Sequence, residues 1–308
     1  MKLRLEKLLM LTLIQGEICF IFSIPDHNAV VSNSDETDAE YPDDIPNPNK
    51  AYLPPHVNEY VNVKNRKTVQ KRAVGRQVNI PASVIESMAN TPVSALSTKI
   101  PANQKVILDC HNNYRRNASP SARNMLKMIW NAKAANTAEA WAKKCKEGHS
   151  PQNERTIPDL RCGENLFYSA FLVPWNIVID SWYSEHVDFK YGTEPPSEPE
   201  VGHYTQMMWA TSHAIGCAIV ECPNSVNRFV YCCHNCPAGN KGSKKHPWKE
   251  GKPCADCPNS CENNLCTNPC PVEDKYTNCV NFQTTCSSKP SMTTDCTGTC
   301  QCTKGEIK

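Results

Sequence analysis

Thiols are the reactive groups this sequence carries in greatest number: nineteen cysteines in 308 residues. One is Cys19, and the other eighteen run from Cys110 to Cys302, with ten between Cys254 and Cys302. Thiols at that density either bind metal or pair. Cys254-x-x-Cys257 is half of a zinc motif, but no second pair at zinc-finger spacing completes it and no histidine follows His246. Disulfides are the remaining use, and they persist in an oxidising compartment. Serine chemistry is more weakly signalled. A histidine with a glutamate could activate Ser150 or Ser184. The chain has neither Gly-x-Ser-x-Gly nor His-Glu-x-x-His. A serine-type or metal-dependent hydrolase therefore ranks below a binding protein.

The segments that flank and position these residues divide the chain. A formal net charge of +2 gives no global pull toward nucleic acid or anionic membrane. Lys2, Arg4 and Lys7 precede a short apolar run, Leu8 to Ile14, and a second, Ile18 to Phe22. This reads as a signal peptide over 1–23, cut after Gly16 or after Ser23. The second cut removes Cys19 and leaves an even cysteine count. No later segment approaches transmembrane length. Residues 24–100 carry an acidic run around Asp35–Asp44 and a basic run from Lys64 to Arg76, with little to bury. They read as a disordered leader. It is either a propeptide cut after Lys71-Arg72 or a solvated linker.

Order is expected from Pro101. Val106, Ile107 and Cys110 have helical spacing, as do Met125, Met128, Ile129, Ala135, Ala138, Trp141 and Ala142. A third helix is expected at Trp175, Ile179, Trp182 and His186, after Pro174. Met207 to Ala210, Ala214 to Cys222 and Arg228 to Cys233 read as strands. Helices followed by strands predict an α+β sandwich over 101–240. From Pro253 on, apolar residues nearly vanish, so the last 50 or so residues need covalent staples. Lys241, Lys244, Lys245, His246 and Lys249 form a basic linker that reads as a solvated loop.

Gly202-His-Tyr-Thr-Gln-Met-Met-Trp-Ala-Thr-Ser212 resembles the signature of the CAP superfamily. Val230-Tyr-Cys-Cys-His-Asn-Cys-Pro-Ala-Gly-Asn240 resembles its second signature, and Cys162-Gly-Glu-Asn165 a shorter marker. The ten-cysteine stretch from Cys254 to Cys302 is similar to the cysteine-rich secretory protein branch. That resemblance implies a three-layer α-β-α sandwich, a linker and hinge over 241–266, and a small helical, toxin-like cysteine-rich (ShKT-like) domain over 267–308. It implies hinge pairs Cys254–Cys261 and Cys257–Cys266, and tail pairs Cys270–Cys302, Cys279–Cys296 and Cys286–Cys300. Six sandwich cysteines match the family: Cys145, Cys162, Cys217, Cys222, Cys233 and Cys236. Cys110 and Cys232 do not, and they are expected to form an extra bridge worth about 3–5 kcal/mol in the chain-entropy model, the alternative being two buried free thiols. Asn235 stands where the signature usually has tyrosine.

The resemblance also implies a cavity lined by His149, Glu164, Glu185 and His203. Two imidazoles and two carboxylates suit a divalent cation such as Zn²⁺, with His149 and His203 as ligands and Glu164 and Glu185 supporting them. The competing reading is a structural His–Glu hydrogen-bond network. The functional expectation is a secreted, extracellular protein whose tail regulates an ion channel. Lys275 and Tyr276 are the candidate contact, with Lys289 and Lys304 as other lysines. The alternative is a lipid- or sterol-binding or adhesion protein using the sandwich. Asn117-Ala118-Ser119 is a glycosylation sequon, followed by Pro120.

Overall fold

The computed structural model describes residues 50–51, 78–80, 82–195, 197, 200–276 and 278–308. The expected signal peptide and the expected cut after Arg72 lie outside the described residues. β1 (Lys50–Ala51) pairs with β2 (Val78–Asn79). Packed structure then begins earlier than expected. α1 (Ala82–Met88) and a 3-10 turn, Val93–Leu96, fall inside the predicted leader. Ile80 and Met88 are nevertheless buried, and Val84, Ile85, Val93 and Leu96 pack on the core. So short a helix is not stable by itself, and its apolar stripe was too brief to read. Tertiary bonds secure the segment: Trp175 Nε1 donates to Leu96 O at 2.8 Å and Thr98 Oγ1 to Cys217 O at 2.6 Å.

α2 (Pro101–Arg116) starts with proline at its first turn, where a missing N–H costs nothing. The second predicted helix splits. Met125, Leu126 and Met128 are buried in extended chain leading to β3 (Ile129–Trp130). α3 (Ala132–Ala142) begins after Asn131, whose side chain accepts from Ala134 N at 3.0 Å. β4 (Thr156–Ile157) and β5 (Leu160–Arg161) pair, and β6 (Gly163–Ser169) is a strand the sequence patterns missed. α4 (Trp175–Tyr183) follows Pro174, a 3-10 turn spans Ser184–Asp188, and α5 (Gly202–Met207) precedes β7 (Ala214–Glu221) and β8 (Phe229–Cys236).

Met207 to Ala210 is the end of α5 and a loop, not a strand. Its carbonyls at Met207, Trp209 and Ala210 accept from a side chain. Buried Arg115 donates to the carbonyls of Leu126, Met207, Trp209, Ala210 and Ser212 at 2.7–3.1 Å.

The sheet has the order β3-β7-β8-β6, with β3 parallel to β7 and the other neighbours antiparallel. Side chains alternate between two apolar layers. Leu166, Tyr168, Ala218, Val230 and Cys232 meet Ala138, Trp141 and Ala142 of α3. Phe167, Cys217, Tyr231 and Cys233 meet Ile107 and Tyr114 of α2 and Val178, Ile179 and Trp182 of α4. This is the α-β-α sandwich. Gly216 lets α3 approach closely, since a Cβ there would lie 2.0 Å from Ala135 N.

The sandwich is stapled by Cys145–Cys222, Cys162–Cys236 and Cys217–Cys233. The predicted Cys110–Cys232 bridge does not form: Cys110 is disulfide-bonded but Cys232 is a free, buried thiol. Alternation explains this. Cys233 points into the layer that holds Cys110, whereas Cys232, one residue away, points to the opposite face toward α3.

The hinge is a small hairpin, β9 (Cys261–Glu262) and β10 (Leu265–Cys266), closed by Cys254–Cys261 and Cys257–Cys266. It packs on Leu126 of the sandwich and Ile307 of the C-terminus. The tail holds a 3-10 helix, Cys279–Thr285, then α6 (Met292–Asp295) and α7 (Thr297–Gln301). Cys270–Cys302, Cys279–Cys296 and Cys286–Cys300 join it. Its buried groups are largely Cys270, Cys279, Cys296 and Cys302, so sulfur takes the place of an apolar core. Among the described residues, no helix is long and apolar enough to cross a membrane.

Candidate functional site

β6 supplies the central residue, Glu164. Its side chain is 1% exposed. Oε1 accepts from His149 Nδ1 at 2.8 Å and from Ser150 N at 2.9 Å. Oε2 accepts from Ser150 Oγ at 2.7 Å and His234 Nε2 at 3.0 Å, with Cys232 Sγ at 3.6 Å. Burial alone would push this carboxyl up. The bonds from His149, His234 and Ser150 overcome that and hold it well below the usual carboxylate range. His149 and Ser150 arrive from the turn after α3, where Gly148 takes a φ of +87°.

Glu185 and His203 form a second pair. His203, on α5, is bonded through Nδ1 to Glu185 Oε1 at 2.6 Å, and Glu185 Oε2 accepts from Tyr204 N at 2.9 Å. Burial is the largest single influence on His203 and acts to lower its pKa, but the charge and hydrogen bond of Glu185, with the Glu200 charge, together overcome it and the net shift is upward. The four predicted residues thus arrive as two His–Glu pairs. The link between them runs through Asn165, next to Glu164, whose Nδ2 donates to His203 O at 3.2 Å. A cavity of about 500 Å³ opens beside the first pair and is lined by His149, Glu164, Arg155, Gln206 and Asn240. His203 and Glu185 are not among its lining residues.

In each pair a carboxylate oxygen accepts from Nδ1–H, which leaves Nε2 as the ring's ligand atom. This is the carboxylate–histidine arrangement that suits a zinc-type cation. Neither candidate serine fits a nucleophile. Ser150 Oγ donates to Glu164 and Ser184 Oγ to Ser181 O at 2.7 Å, so each hydroxyl proton goes to an oxygen and not to a histidine. The sulfurs of Cys254, Cys257 and Cys266 lie close together, but all three are in disulfides and cannot ligate.

His234 was missed from the sequence. It is fully buried, opposite Glu164 across β6 and β8, and its Nδ1 meets Thr137 Oγ1 of α3 at 2.8 Å. Period-two alternation on β8 would have put His234 and Cys232 on one face. Without β6, nothing pointed that face at Glu164. Asn235, in place of the expected tyrosine, is also fully buried, and neither of its amide atoms has a hydrogen-bond partner among the described residues.

The other predicted contacts are at the surface. Lys275 Nζ pairs with Asp295 Oδ1 at 2.9 Å, and Tyr276 is 56% exposed. The tail docks beside the cavity through Glu273, which takes both Arg161 Nε at 2.9 Å and Lys241 Nζ. Asn117 is exposed at the C-terminal end of α2, its Nδ2 donating to Asn113 O at 2.8 Å.

A family model described as the cysteine-rich secretory protein family, CAP, matches residues 108–235, and a second, Crisp, matches residues 254–308. Among solved structures, Na-ASP-1 is 27% identical with a TM-score of 0.45, covering 53% of this chain. The chain spans 46% of the length of Na-ASP-1. NaASP2 with Zn2+ is 27% identical with a TM-score of 0.44, covering 52% of this chain and 93% of its own. BmVAL-1 is also 27% identical, with a TM-score of 0.46, covering 56% of this chain and 96% of its own.

Proposed function

Because the chain belongs to the cysteine-rich secretory protein family of the CAP superfamily, we propose that it is an extracellular binding protein whose tail regulates an ion channel. The observation that carries this reading is the surface of the tail. Its interior is spent on disulfides, and Tyr276, Val280 and Phe282 are left 56%, 66% and 39% exposed within one short stretch. A stapled domain keeps such side chains fixed without an apolar core beneath them, which lowers the entropy cost of binding. Lys275 is the weaker contact, because its ammonium is already paired with Asp295. Val280 and Phe282 therefore replace it beside Tyr276 as the residues to test.

In this reading the sandwich is a non-catalytic scaffold. His149 and His203 offer Nε2 to a divalent cation such as Zn²⁺, while Glu164 and Glu185 fix the rings. The cation would add positive charge beside two buried carboxylates. The lipid- or sterol-binding alternative gains less support. An apolar groove beside α4 would favour it, but α4 is packed against α2 and α5. The cavity beside His149 is lined by polar and charged side chains.

The test is whole-cell recording from cells expressing a panel of potassium and calcium channels, with the full chain applied outside. A dose-dependent change in current is expected, with potency falling about tenfold in Phe282→Ala or Val280→Asp, the cost of one hot-spot side chain. No change in any current would reject the reading.

A further inference from the structure

Cys232, His234 and Glu164 are brought together on the α3 face of the sheet, and no role above uses all three. Their ligand atoms lie within 4.8 Å of one another, and all three residues are buried. We propose that Cys232 Sγ, His234 Nε2 and Glu164 Oε2 form a second, buried site for a soft divalent cation of the Zn²⁺ class.

Three observations support it. The first is spacing. Tetrahedral zinc bonds of about 2.3 Å to sulfur and about 2.0–2.2 Å to nitrogen and oxygen give ligand separations of about 3.5 Å for S···O and about 3.4 Å for N···O. The separations here are 3.6 Å for Cys232 Sγ to Glu164 Oε2 and 3.0 Å for His234 Nε2 to Glu164 Oε2. A shift of a few tenths of an ångström accommodates the ion. The second is orientation. His234 Nδ1 is held by Thr137 Oγ1, whose hydroxyl is anchored at Ala134 O at 3.0 Å. This fixes the ring and presents Nε2 to the site, as the outer partners of ligating histidines do. The third is charge. Once binding has displaced the Cys232 thiol proton, the thiolate and the carboxylate carry two negative charges, which one divalent cation cancels. Binding transfers the Cys232 thiol proton to solvent and forms a metal–sulfur bond, with no redox change.

Of the three residues, Glu164 also lines the cavity beside His149. The two carboxylate oxygens divide the work. Oε1 faces His149 and Oε2 faces Cys232 and His234. The buried site therefore shares the Glu164 carboxylate with the His149–His203 reading but takes its other oxygen. Cys232 departs from the family pattern, so the site is a property of this chain and not of the shared fold.

Cobalt(II) added to the chelator-treated full-length protein tests this directly, because only a thiolate ligand produces intense near-ultraviolet sulfur-to-cobalt absorption. One equivalent should generate that band, and Zn²⁺ should abolish it by displacement. Cys232→Ser should lose the band, His234→Gln should weaken it, and His203→Ala should keep it. Far-ultraviolet circular dichroism verifies that each disulfide-stapled variant is folded. Absence of the band in folded wild-type protein at saturating cobalt overturns the proposal, as does a band that survives in Cys232→Ser. Loss of the band in folded His203→Ala also overturns it, in favour of one ion bound at the cavity pair.

Discussion

Removing the Glu164 carboxylate should be among the most costly single changes in the sandwich, and the cost should depend on what replaces it. Four donors converge on its two oxygens: His149 Nδ1, Ser150 N, Ser150 Oγ and His234 Nε2. In Glu164→Ala, three of them stay buried without this acceptor, Ser150 N, Ser150 Oγ and His234 Nε2. At about 1–3 kcal/mol for each abandoned buried donor, plus the lost charge-assisted bonds, the loss is about 3–5 kcal/mol. Glu164→Gln is milder. Its oxygen can still accept from His149 and Ser150 N. Its NH₂ can donate to His234 once that ring carries its proton on Nδ1 and donates to Thr137. A loss of about 1–2 kcal/mol follows for the neutral substitute. The assay is urea unfolding at neutral pH with disulfides intact and chelator present, so that no metal contributes. An Ala variant within about 0.5 kcal/mol of wild type, the scatter of ordinary surface changes, would refute the reasoning. So would an Ala variant more stable than Gln.

Other changes probe the frame around the site. Arg115→Met strips the guanidinium from five backbone carbonyls and should cost about 3–5 kcal/mol by urea unfolding, in the range for removing one side of a buried charged network. A loss below 1 kcal/mol would mean those carbonyls find other donors, about the value of one ordinary hydrogen bond. Burial raises the Asp180 carboxyl from its ordinary 3.8 to about 6, with the Tyr114 hydrogen bond opposing it. The folded state then keeps a proton the unfolded chain has lost, so stability falls as pH rises from about 4 to about 6 and levels off above, by at most about 3 kcal/mol. Asp180→Asn should remove that slope, and unfolding midpoints of the same pH shape in both proteins would contradict it. Gly216→Ala puts a Cβ at 2.0 Å from Ala135 N and should displace α3 from the sheet, lowering the melting temperature by about 10 °C or more. An unchanged melting curve would show that the helix slides without cost.

The parts legible in the sequence were those carried by covalent chemistry or by long periodic stretches. Cysteine density announced the disulfides, and α2, α4, β7 and β8 followed their apolar patterns. What escaped depended on partners distant in the chain. α1 is too short to declare itself and is fixed by Trp175 and the core. β6 was hidden because both of its faces are buried, leaving no alternation of apolar and polar residues. His234 was hidden with it, since only the β6–β8 register sets it opposite Glu164. The Cys110–Cys232 expectation failed at a single step of strand parity. The apolar run at Met207 was misread because a buried arginine, and not a neighbouring strand, satisfies its backbone.

Patch-clamp recording with the full-length protein tests the central claim most directly. Wild-type protein, applied outside the cell, should alter the current through at least one channel of the panel. Phe282→Ala should weaken the effect about tenfold with the fold intact. Undiminished potency in folded Phe282→Ala and Val280→Asp, or no response from any channel, would contradict it.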